Sequence, residues 1–477
     1  MSSKGRGRAP VPPSLAGKGA RGIGRGAQLI NRLRNVVHRQ LGPGLRAVGL
    51  LLIPSLATAY PIDGYNDTGI ARLEAYRLAQ EGKITGPKLA PGALLHGADI
   101  TLRLIDQPDF VIPPADLQWN AKLRGLLGDE ADRYGVAILD LTDAAQPHYG
   151  EHRASMPQNP GSVGKVAVLL ALFQKLADVY PDDIEARRRV LRESRIVADS
   201  VIQTDSHTVP FWEPGDVKIV KRRLAEGDDG NLWTYLDWMA SSSSNAAASV
   251  AMQQLVLLAH FGKEYPVDGE RARAFWTATT KGTLNDIFLD AMTLPITRNG
   301  LDLKHLRQGS FFTRAGKQLV PGTSSHATPR ELMHFLLKME QGKLVDAFSS
   351  REIKKLLYLT DRRIRYASSP ALADAAVYFK SGSLFGCKPE PGFVCVQYQG
   401  NVRNFMNSVA IVETPGRQPA LSYVVVVMSN VLRKNSAVAH QTLATRIHRW
   451  MQELHPTRQT SQTSPTSPTS PTGPTGR

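Results

Sequence analysis

The order of strands and helices most constrains this fold, because β-rich segments stand at both ends of one long helical stretch. Residues 135–141 form a compact apolar strand, and the segment at 148–155 can return beside it after a polar turn. Three further strands, rich in β-branched and aromatic residues, are expected at 377–383, 405–413 and 421–428. The sequence therefore predicts an α+β fold, with an antiparallel sheet built from both ends of the domain beside a helical lobe.

The helical lobe is expected to come from the residues between these two groups of strands. An apolar run at 165–173 predicts a buried helix, and residues 232–258 are mostly helical with an interrupting serine cluster. Another helix is expected to begin at Thr328-Pro329, with threonine as its N-terminal cap and proline at its first position. Residues 286–323 contain many turn residues and are expected to be irregular, and residues 437–454 form the last helix.

The basic character of the chain is mostly a property of its N-terminus. The chain has 58 Lys and Arg against 42 Asp and Glu, but residues 1–46 hold ten of these basic residues and no acidic one. We therefore expect no nucleic-acid binding. Residues 47–59 add a short apolar run that ends in Ala-Thr-Ala, which is typical of a secretory signal peptide and too short for a membrane span. We expect cleavage after Ala59, a secreted or periplasmic protein, and no stable membrane span after cleavage.

These features divide the chain into four parts. We expect residues 1–59 to be a basic disordered arm and signal peptide, residues 60–113 an N-terminal extension, residues 114–455 the main domain, and residues 456–477 a low-complexity Ser/Thr/Pro tail.

Cys387 and Cys395 are the two cysteines of the chain. In an oxidising compartment they can pair, because the turn-rich sequence between them can bring both to one end of a hairpin. The alternative is two buried free thiols.

Ser162 and Lys165 stand three residues apart where the long apolar helix begins. A serine hydroxyl needs an adjacent base to become a nucleophile, and burial can make a lysine amine such a base. The pair alone is weak, because most Ser-x-x-Lys sequences are solvated helix surface. A phosphate loop is excluded, since Asn159 and Val166 replace its required glycine and hydroxyl residue.

Two further motifs strengthen this pair: Ser243-Ser244-Asn245 and Lys380-Ser381-Gly382. Taken singly, the first can be a plain polar loop and the second an edge-strand lysine beside a bulge. In this order, however, the three motifs resemble those of serine β-lactamases and penicillin-binding proteins. The resemblance covers residues 115–454, excluding insertions expected around 181–230 and 260–325, and is closest to class A β-lactamase-like serine hydrolases. It implies that the main domain, residues 114–455, is β-lactamase-like.

The resemblance implies a division of labour in acyl transfer. Ser162 would attack the carbonyl carbon of the substrate, Lys165 would accept its proton, and Ser243 would relay a proton to the leaving nitrogen. Asn245 would orient Lys165 and the amide of the substrate. Lys380 would add positive charge that favours a neutral Lys165 and attracts a substrate carboxylate.

Further residues would bind the substrate. The resemblance places Ser381 on the substrate carboxylate and the oxyanion hole at the backbone N–H groups of Ser162 and Ser383, with Gly382 between the two serines. Arg403, near the second closing strand, is a further candidate for carboxylate binding.

One part of the family pattern is missing. The resemblance implies a glutamate, in the pattern Glu-x-x-Leu-Asn, that activates the water releasing the acyl group. Residues 298–314 contain no glutamate, and Leu284-Asn285 do not follow one. Asp302 is the only carboxylate residue in that segment, and His305 is a second conceivable base. We therefore expect acylation machinery without the usual means of release.

The sequence thus predicts an exported serine hydrolase that forms an acyl-enzyme with a β-lactam or a peptidoglycan-like peptide or amide, with weak or absent β-lactam turnover. We expect no metal or organic cofactor. The alternatives are a non-catalytic or slowly turning over sensor of β-lactam or peptidoglycan, and an esterase on the same fold.

Overall fold

A computed structural model describes residues 62–361 and 363–457 of the chain. The signal peptide predicted within residues 1–59, with its cleavage after Ala59, lies outside these residues, and so does nearly all of the tail predicted at 456–477. No helix in the described ranges is both long and apolar enough to cross a membrane.

The helices and strands follow the predicted order of two strands, a helical stretch, three strands and a helix. The helices are α1 (Tyr65–Thr68), α2 (Ala71–Gln80), α3 (Leu117–Leu127), α4 (Lys165–Val179), α5 (Ile184–Glu193), α6 (Leu232–Ala240), α7 (Asn245–Phe261), α8 (Gly269–Ala278), α9 (Lys281–Arg298), α10 (Arg314–Leu319), α11 (Pro329–Glu340), α12 (Ala347–Tyr358) and α13 (Ser436–Leu454). The strands are β1 (Tyr134–Asp140), β2 (His148–His152), β3 (Ile196–Val197), β4 (Val209–Phe211), β5 (Val220–Arg222), β6 (Asp229–Gly230), β7 (Leu306–Arg307), β8 (His326–Ala327), β9 (Ala376–Gly386), β10 (Arg403–Glu413) and β11 (Ser422–Asn430).

The main sheet joins the two ends of the domain, as predicted. Its five antiparallel strands lie in the order β2-β1-β11-β10-β9, and β1 pairs with β11 in the register Val136↔Val427. β9, which carries Lys380, is therefore an edge strand, and its free edge faces the turn that holds Ser162. The predicted α+β fold with an antiparallel sheet and a helical lobe is confirmed.

Both faces of this sheet are buried, and β11 shows why. Its side chains alternate with period 2, so that Val424 and Val426 belong to the core of the helical lobe. Val425 and Val427 belong to a second core beneath α3 and α13. A strand buried on both faces reads as a continuous apolar run, which is what the four valines in β11 provide.

The helical lobe is built around α4. Every residue from Lys165 to Gln174 is buried, because α6, α7, α9 and α12 surround this helix.

The prediction of an irregular segment at 286–323 is wrong for its first part, where α9 continues to Arg298. Leu284, Phe288 and Met292 recur at helical spacing and are buried against the lobe core. Pro295 lies within the last turns of α9, where it removes one backbone hydrogen bond of the helix. Burial of this apolar face stabilises the helix more than the turn-favouring residues of the segment destabilise it.

Residues near the described N-terminus pack into the same core as α4, through Ile70 and Leu73. Arg72 is buried and donates to both carboxylate oxygens of Asp237, at 2.6 and 2.5 Å, and to the Leu359 carbonyl at 2.8 Å. Because Asp237 lies in α6, just before the serine cluster, this ion pair fixes the helix that leads into the second motif.

Candidate active site

Ser162 lies in a 3-10 turn, Gly161–Gly164, that runs directly into α4, so Lys165 is the first residue of that helix. At this spacing the two side chains meet, and Lys165 Nζ lies 2.9 Å from Ser162 Oγ. β9 passes close to the turn at Gly382, where a Cβ atom would lie 2.6 Å from the Ser162 amide nitrogen. The glycine of the third motif therefore allows the strand to approach the nucleophile.

The Lys165 amine is held by three acceptors. Besides Ser162 Oγ, it contacts the Ser243 carbonyl oxygen at 2.6 Å and Asn245 Oδ1 at 2.9 Å. A neutral amine can donate two of these hydrogen bonds and direct its lone pair at the serine hydroxyl. The geometry thus suits proton transfer from Ser162 to Lys165.

The pKa of Lys165 is lowered to about 7. Burial is the main cause, since an ammonium loses its hydration there; the Asp205 carboxylate opposes the shift, and the Arg365 guanidinium adds to it. A substantial fraction of Lys165 is therefore neutral at neutral pH.

Ser243 links this lysine to the third motif. Its backbone is in the left-handed region, with φ +62°, and its Oγ accepts a 2.8 Å hydrogen bond from Lys380 Nζ. Such strained backbone at a non-glycine residue is often found at functional sites. Lys380 also donates to the Ser381 carbonyl at 3.0 Å, and its pKa is lowered well below the ordinary value, by burial first and then by the charges of Lys165 and Arg365.

Arg365 is a site residue that the sequence analysis missed. Its guanidinium donates to Ser381 Oγ at 2.8 Å, to Ser383 Oγ at 3.1 Å and to Tyr398 Oη at 3.1 Å. Its Nε is buried and, among the described residues, has no hydrogen-bond partner. The arginine-rich sequence before β9 hinted at such a group, but spacing alone could not select Arg365.

Arg403, in contrast, is not brought to the site. It begins β10 opposite Gly386, on the exposed end of the strand pair, and its guanidinium carbon lies 6.0 Å from the Phe405 ring centre. Its position at the far end of the strand argues against the carboxylate-binding role expected from sequence, and Arg365 takes the place beside Ser381.

These groups line one cleft with a cavity volume of about 340 Å³. Its polar lining consists of hydroxyl, amide, imidazole and cationic groups: Ser162, Ser206, His207, Thr208, Ser241, Ser242, Ser243, Asn245, Thr360, Arg365, Lys380, Ser381, Ser383, Gln397 and Tyr398. No carboxylate is among these lining residues. In the described part of the chain, no group of three or more His, Cys, Asp or Glu could hold a metal ion.

Part of the chain is similar to a known protein family. Residues 279–451, which include Lys380, match the family model described as the β-lactamase enzyme family. The match covers 173 of the 477 residues of the chain. No curated protein matches it in sequence.

Several solved structures are similar to the chain at low sequence identity. A β-lactamase from Sphaerobacter thermophilus DSM 20745 has a TM-score of 0.45 and 16% identity, covering 72% of this chain and 100% of that one. PBP-A has a TM-score of 0.44 and 13% identity, with the same coverage of 72% and 100%. A β-lactamase from Chitinophaga pinensis DSM 2588 has a TM-score of 0.45 and 16% identity, covering 71% and 99%.

The segment where the superfamily resemblance implies a deacylating glutamate presents a phenyl ring instead. Phe312 lies with its ring centre 4.8 Å from Lys165 Nζ. The two alternative bases named from sequence do not line the cleft: Asp302 and His305 are about half exposed and lie 3.6 Å from each other. Phe312 itself carries no group that could act as a base.

The middle motif has Ser244 where the common form of the family pattern has aspartate, and a hydrogen-bond partner of Ser244 supplies a carboxylate. Ser244 Oγ donates to Asp205 at 2.8 Å, and the Ala246 amide donates to the same carboxylate at 2.9 Å. Burial raises the pKa of Asp205, but the hydrogen bond and charge of His207, together with the Ala246 amide, outweigh it and hold this pKa below its usual range. The sequence analysis missed Asp205 because it lies about forty residues before Ser244, in the insertion expected around 181–230.

Cys387 and Cys395 are joined by a disulfide, with their Cα atoms 6.1 Å apart. The loop that they close leads directly to Gln397 and Tyr398, which line the cleft.

We expect replacement of Arg365 with alanine to reduce the acylation efficiency of carboxylate-bearing substrates by about 10- to 100-fold, because each charged hydrogen bond contributes about 1.5–3 kcal/mol. The measurement is the second-order rate constant for labelling Ser162 with a fluorescent penicillin. Arg403→Ala is the matched control, since it removes an arginine outside the cleft. Equal losses in the two variants would contradict this assignment.

The acylation rate is expected to rise with pH and to level off, with a midpoint near 7. Protonated Lys165 cannot accept the Ser162 proton, so the rate falls tenfold per pH unit below the lysine pKa. Because Arg365 lowers that pKa, Arg365→Ala will move the midpoint upward. Labelling rates between pH 5.5 and 9 test this, and a midpoint near the ordinary lysine value of about 10.4 would refute it.

Proposed function

We propose that this chain is an exported, class A-like serine hydrolase that forms an acyl-enzyme on Ser162 from a β-lactam or a peptidoglycan-like peptide or amide. The observation that carries the proposal is the 2.9 Å contact between Ser162 Oγ and a buried Lys165 amine whose pKa is about 7. A nucleophile and a base prepared in this way are the requirements for acyl transfer.

The steps follow from the contacts. Ser162 Oγ attacks the carbonyl carbon while Lys165 takes its proton. The oxyanion forms beside the edge of β9, where the amides of Ser162 and Ser383 can donate to it, an effect of about 3–4 kcal/mol per donor in other acyl-transfer enzymes. Ser243 Oγ, held between Lys380 and the Lys165 site, passes a proton to the leaving nitrogen.

The Arg365 guanidinium suits a substrate that carries a carboxylate. Ser381 and Arg365 form a hydrogen-bonded pair at one wall, so that the guanidinium places positive charge beside Ser381. Both β-lactams and D-amino-acid-terminated peptides carry a carboxylate in the corresponding position relative to the acylated carbonyl.

Release of the acyl group is proposed to be slow with β-lactams. Phe312 beside Lys165 offers no base for a hydrolytic water on that side. This observation also favours a second candidate function, a sensor that captures a β-lactam or peptidoglycan fragment covalently and holds it. An esterase on the same fold is supported by the nucleophile and the base. It is not supported by the wall of Ser381 and Arg365, which suits a substrate carboxylate.

Intact mass spectrometry with a reporter penicillin tests the proposal. We expect an adduct of the full penicillin mass within minutes, located by digestion on the peptide that contains Ser162, and a decay over hours. An adduct that never decays selects the sensor function. Rapid hydrolysis without an adduct would contradict slow release, and neither adduct nor hydrolysis would reject a β-lactam or peptide substrate in favour of an ester.

Export is a separate part of the proposal. Expression of the full chain in a bacterial host, followed by mass measurement of the periplasmic or secreted protein, should show an N-terminus at Tyr60. A protein that stays in the cytoplasm with its first 59 residues intact would contradict it.

A further inference from the structure

Asp205 and His207 form a hydrogen-bonded pair at a wall of the cleft. His207 Nδ1 lies 2.6 Å from Asp205 Oδ1, and the His207 backbone amide donates to the same oxygen at 3.1 Å. The Asp205 side chain is only 5% exposed, whereas the imidazole is 32% exposed and lines the cleft together with Ser162. The carboxylate is thus the buried, orienting member of the pair, and the imidazole is the accessible one.

The pair is held rigidly. The second oxygen of Asp205 accepts from Ser244 Oγ and from the Ala246 amide at the start of α7. Asp205 therefore connects His207 to the same motif that supplies Ser243 and Asn245. A carboxylate that receives Nδ1–H fixes the neutral tautomer and leaves the Nε2 lone pair free, and Nε2 has no hydrogen-bond partner among the described residues.

Elimination points to the same residue. Phe312 occupies the side where the superfamily pattern implies a glutamate, and no carboxylate lines the cleft. The amine of Lys165 is hydrogen-bonded to Ser162 Oγ, and that of Lys380 to Ser243 Oγ. His207 is the one histidine among the lining residues, and an imidazole is the side chain best suited to accept a proton at neutral pH.

We propose that His207, oriented by Asp205, is the general base of the release step, an inference that rests on the proposed function. Water forms a bond to the acyl carbon of the Ser162 ester while His207 Nε2 takes one of its protons. The tetrahedral intermediate then collapses, the bond between the acyl carbon and Ser162 Oγ breaks, and Oγ receives the proton from Nε2. The products are a free carboxylic acid and the regenerated serine.

The cleft is compact enough for this arrangement. A ligand that fills a cavity of about 340 Å³ contacts opposite walls, so an acyl group on Ser162 lies within the same space that His207 borders. The base approaches from the insertion at 203–208 rather than from the segment around Phe312.

The test separates acylation from release. Full-length mature protein is labelled with a fluorescent penicillin, excess label is removed, and the loss of the adduct is followed by mass. His207→Ala is expected to label at the wild-type rate and to release the adduct about 100-fold more slowly, the contribution typical of a general base. Added imidazole should restore part of the release rate.

A second variant and a matched control complete the experiment. Asp205→Asn can still accept from Ser244 and Ala246 but presents an amide to His207, so it too should slow release more than labelling. His305→Ala is the control, because His305 also lies beside an aspartate but outside the cleft. Its release rate should equal that of the wild type.

Each other outcome has a defined meaning. Unchanged release in His207→Ala, or equal losses in labelling and release that imidazole does not restore, overturns the assignment of His207. Failure of the wild-type protein to label at all rejects the proposed function itself, and with it this inference. Thermal unfolding curves of the variants show whether the fold has been preserved.

Discussion

Ser162→Ala and Lys165→Met proteins will fail to accumulate a covalent penicillin adduct, with labelling rates at least about 1,000-fold below that of the wild type. The first variant removes the atom that is acylated. The second leaves Ser162 Oγ without the amine that lies 2.9 Å away and takes its proton. Because nucleophile and base act as one unit, the two losses should be similar and should not add in the double variant.

The measurement is intact mass after incubation with a reporter penicillin, and two controls make it specific. Lys165→Arg keeps a positive charge at this position but cannot serve as a base, so it should be as inactive as Lys165→Met. Removal of a buried amine with three partners can also destabilise the protein, and thermal unfolding must accompany the mass data. Wild-type labelling of Lys165→Arg would contradict a base role for Lys165.

Much of this site was predictable because its chemistry sits in short local motifs. Ser162 and Lys165 meet through helix spacing alone, and the apolar run after them shows that the lysine is buried. The β-branched and aromatic residues around Lys380 predict the strand that carries it. Residues within one motif have geometry fixed by the backbone between them.

The unpredicted residues reach the site through tertiary packing. Arg365 begins a 3-10 turn before β9, with a left-handed backbone of φ +55°, and Asp205 and His207 come from an insertion before β4. No periodicity or spacing relates them to Ser162. Arg403 is the opposite case. The sequence places it next to the expected strand, but in the fold it lies at the exposed end of that strand.

Replacement of Phe312 with glutamate is expected to accelerate release of the penicilloyl group by about 100-fold or more, the effect of a new general base. The Phe312 ring centre lies 4.8 Å from Lys165 Nζ, so a carboxylate there can reach a water near the acylated serine. The same negative charge favours protonated Lys165 and raises its pKa. The midpoint of the acylation pH profile should therefore rise above 7, and acylation at neutral pH should become slower while release becomes faster.

Phe312→Gln separates charge from shape, because glutamine has the length of glutamate without its basicity. Release in Phe312→Gln should stay close to the wild-type rate, and equal acceleration in both variants would mean that removing the ring, rather than adding a base, admits water.

The two routes to release can then be distinguished in one protein. If His207 is the native base, His207→Ala slows release when Phe312 is present but has little effect in Phe312→Glu, because the new carboxylate bypasses it. Two bases acting on one water would instead give effects that add. If the effects of the two substitutions on the release rate are not additive, a carboxylate at position 312 can replace His207. His207 then performs the role that the family pattern gives to the missing glutamate.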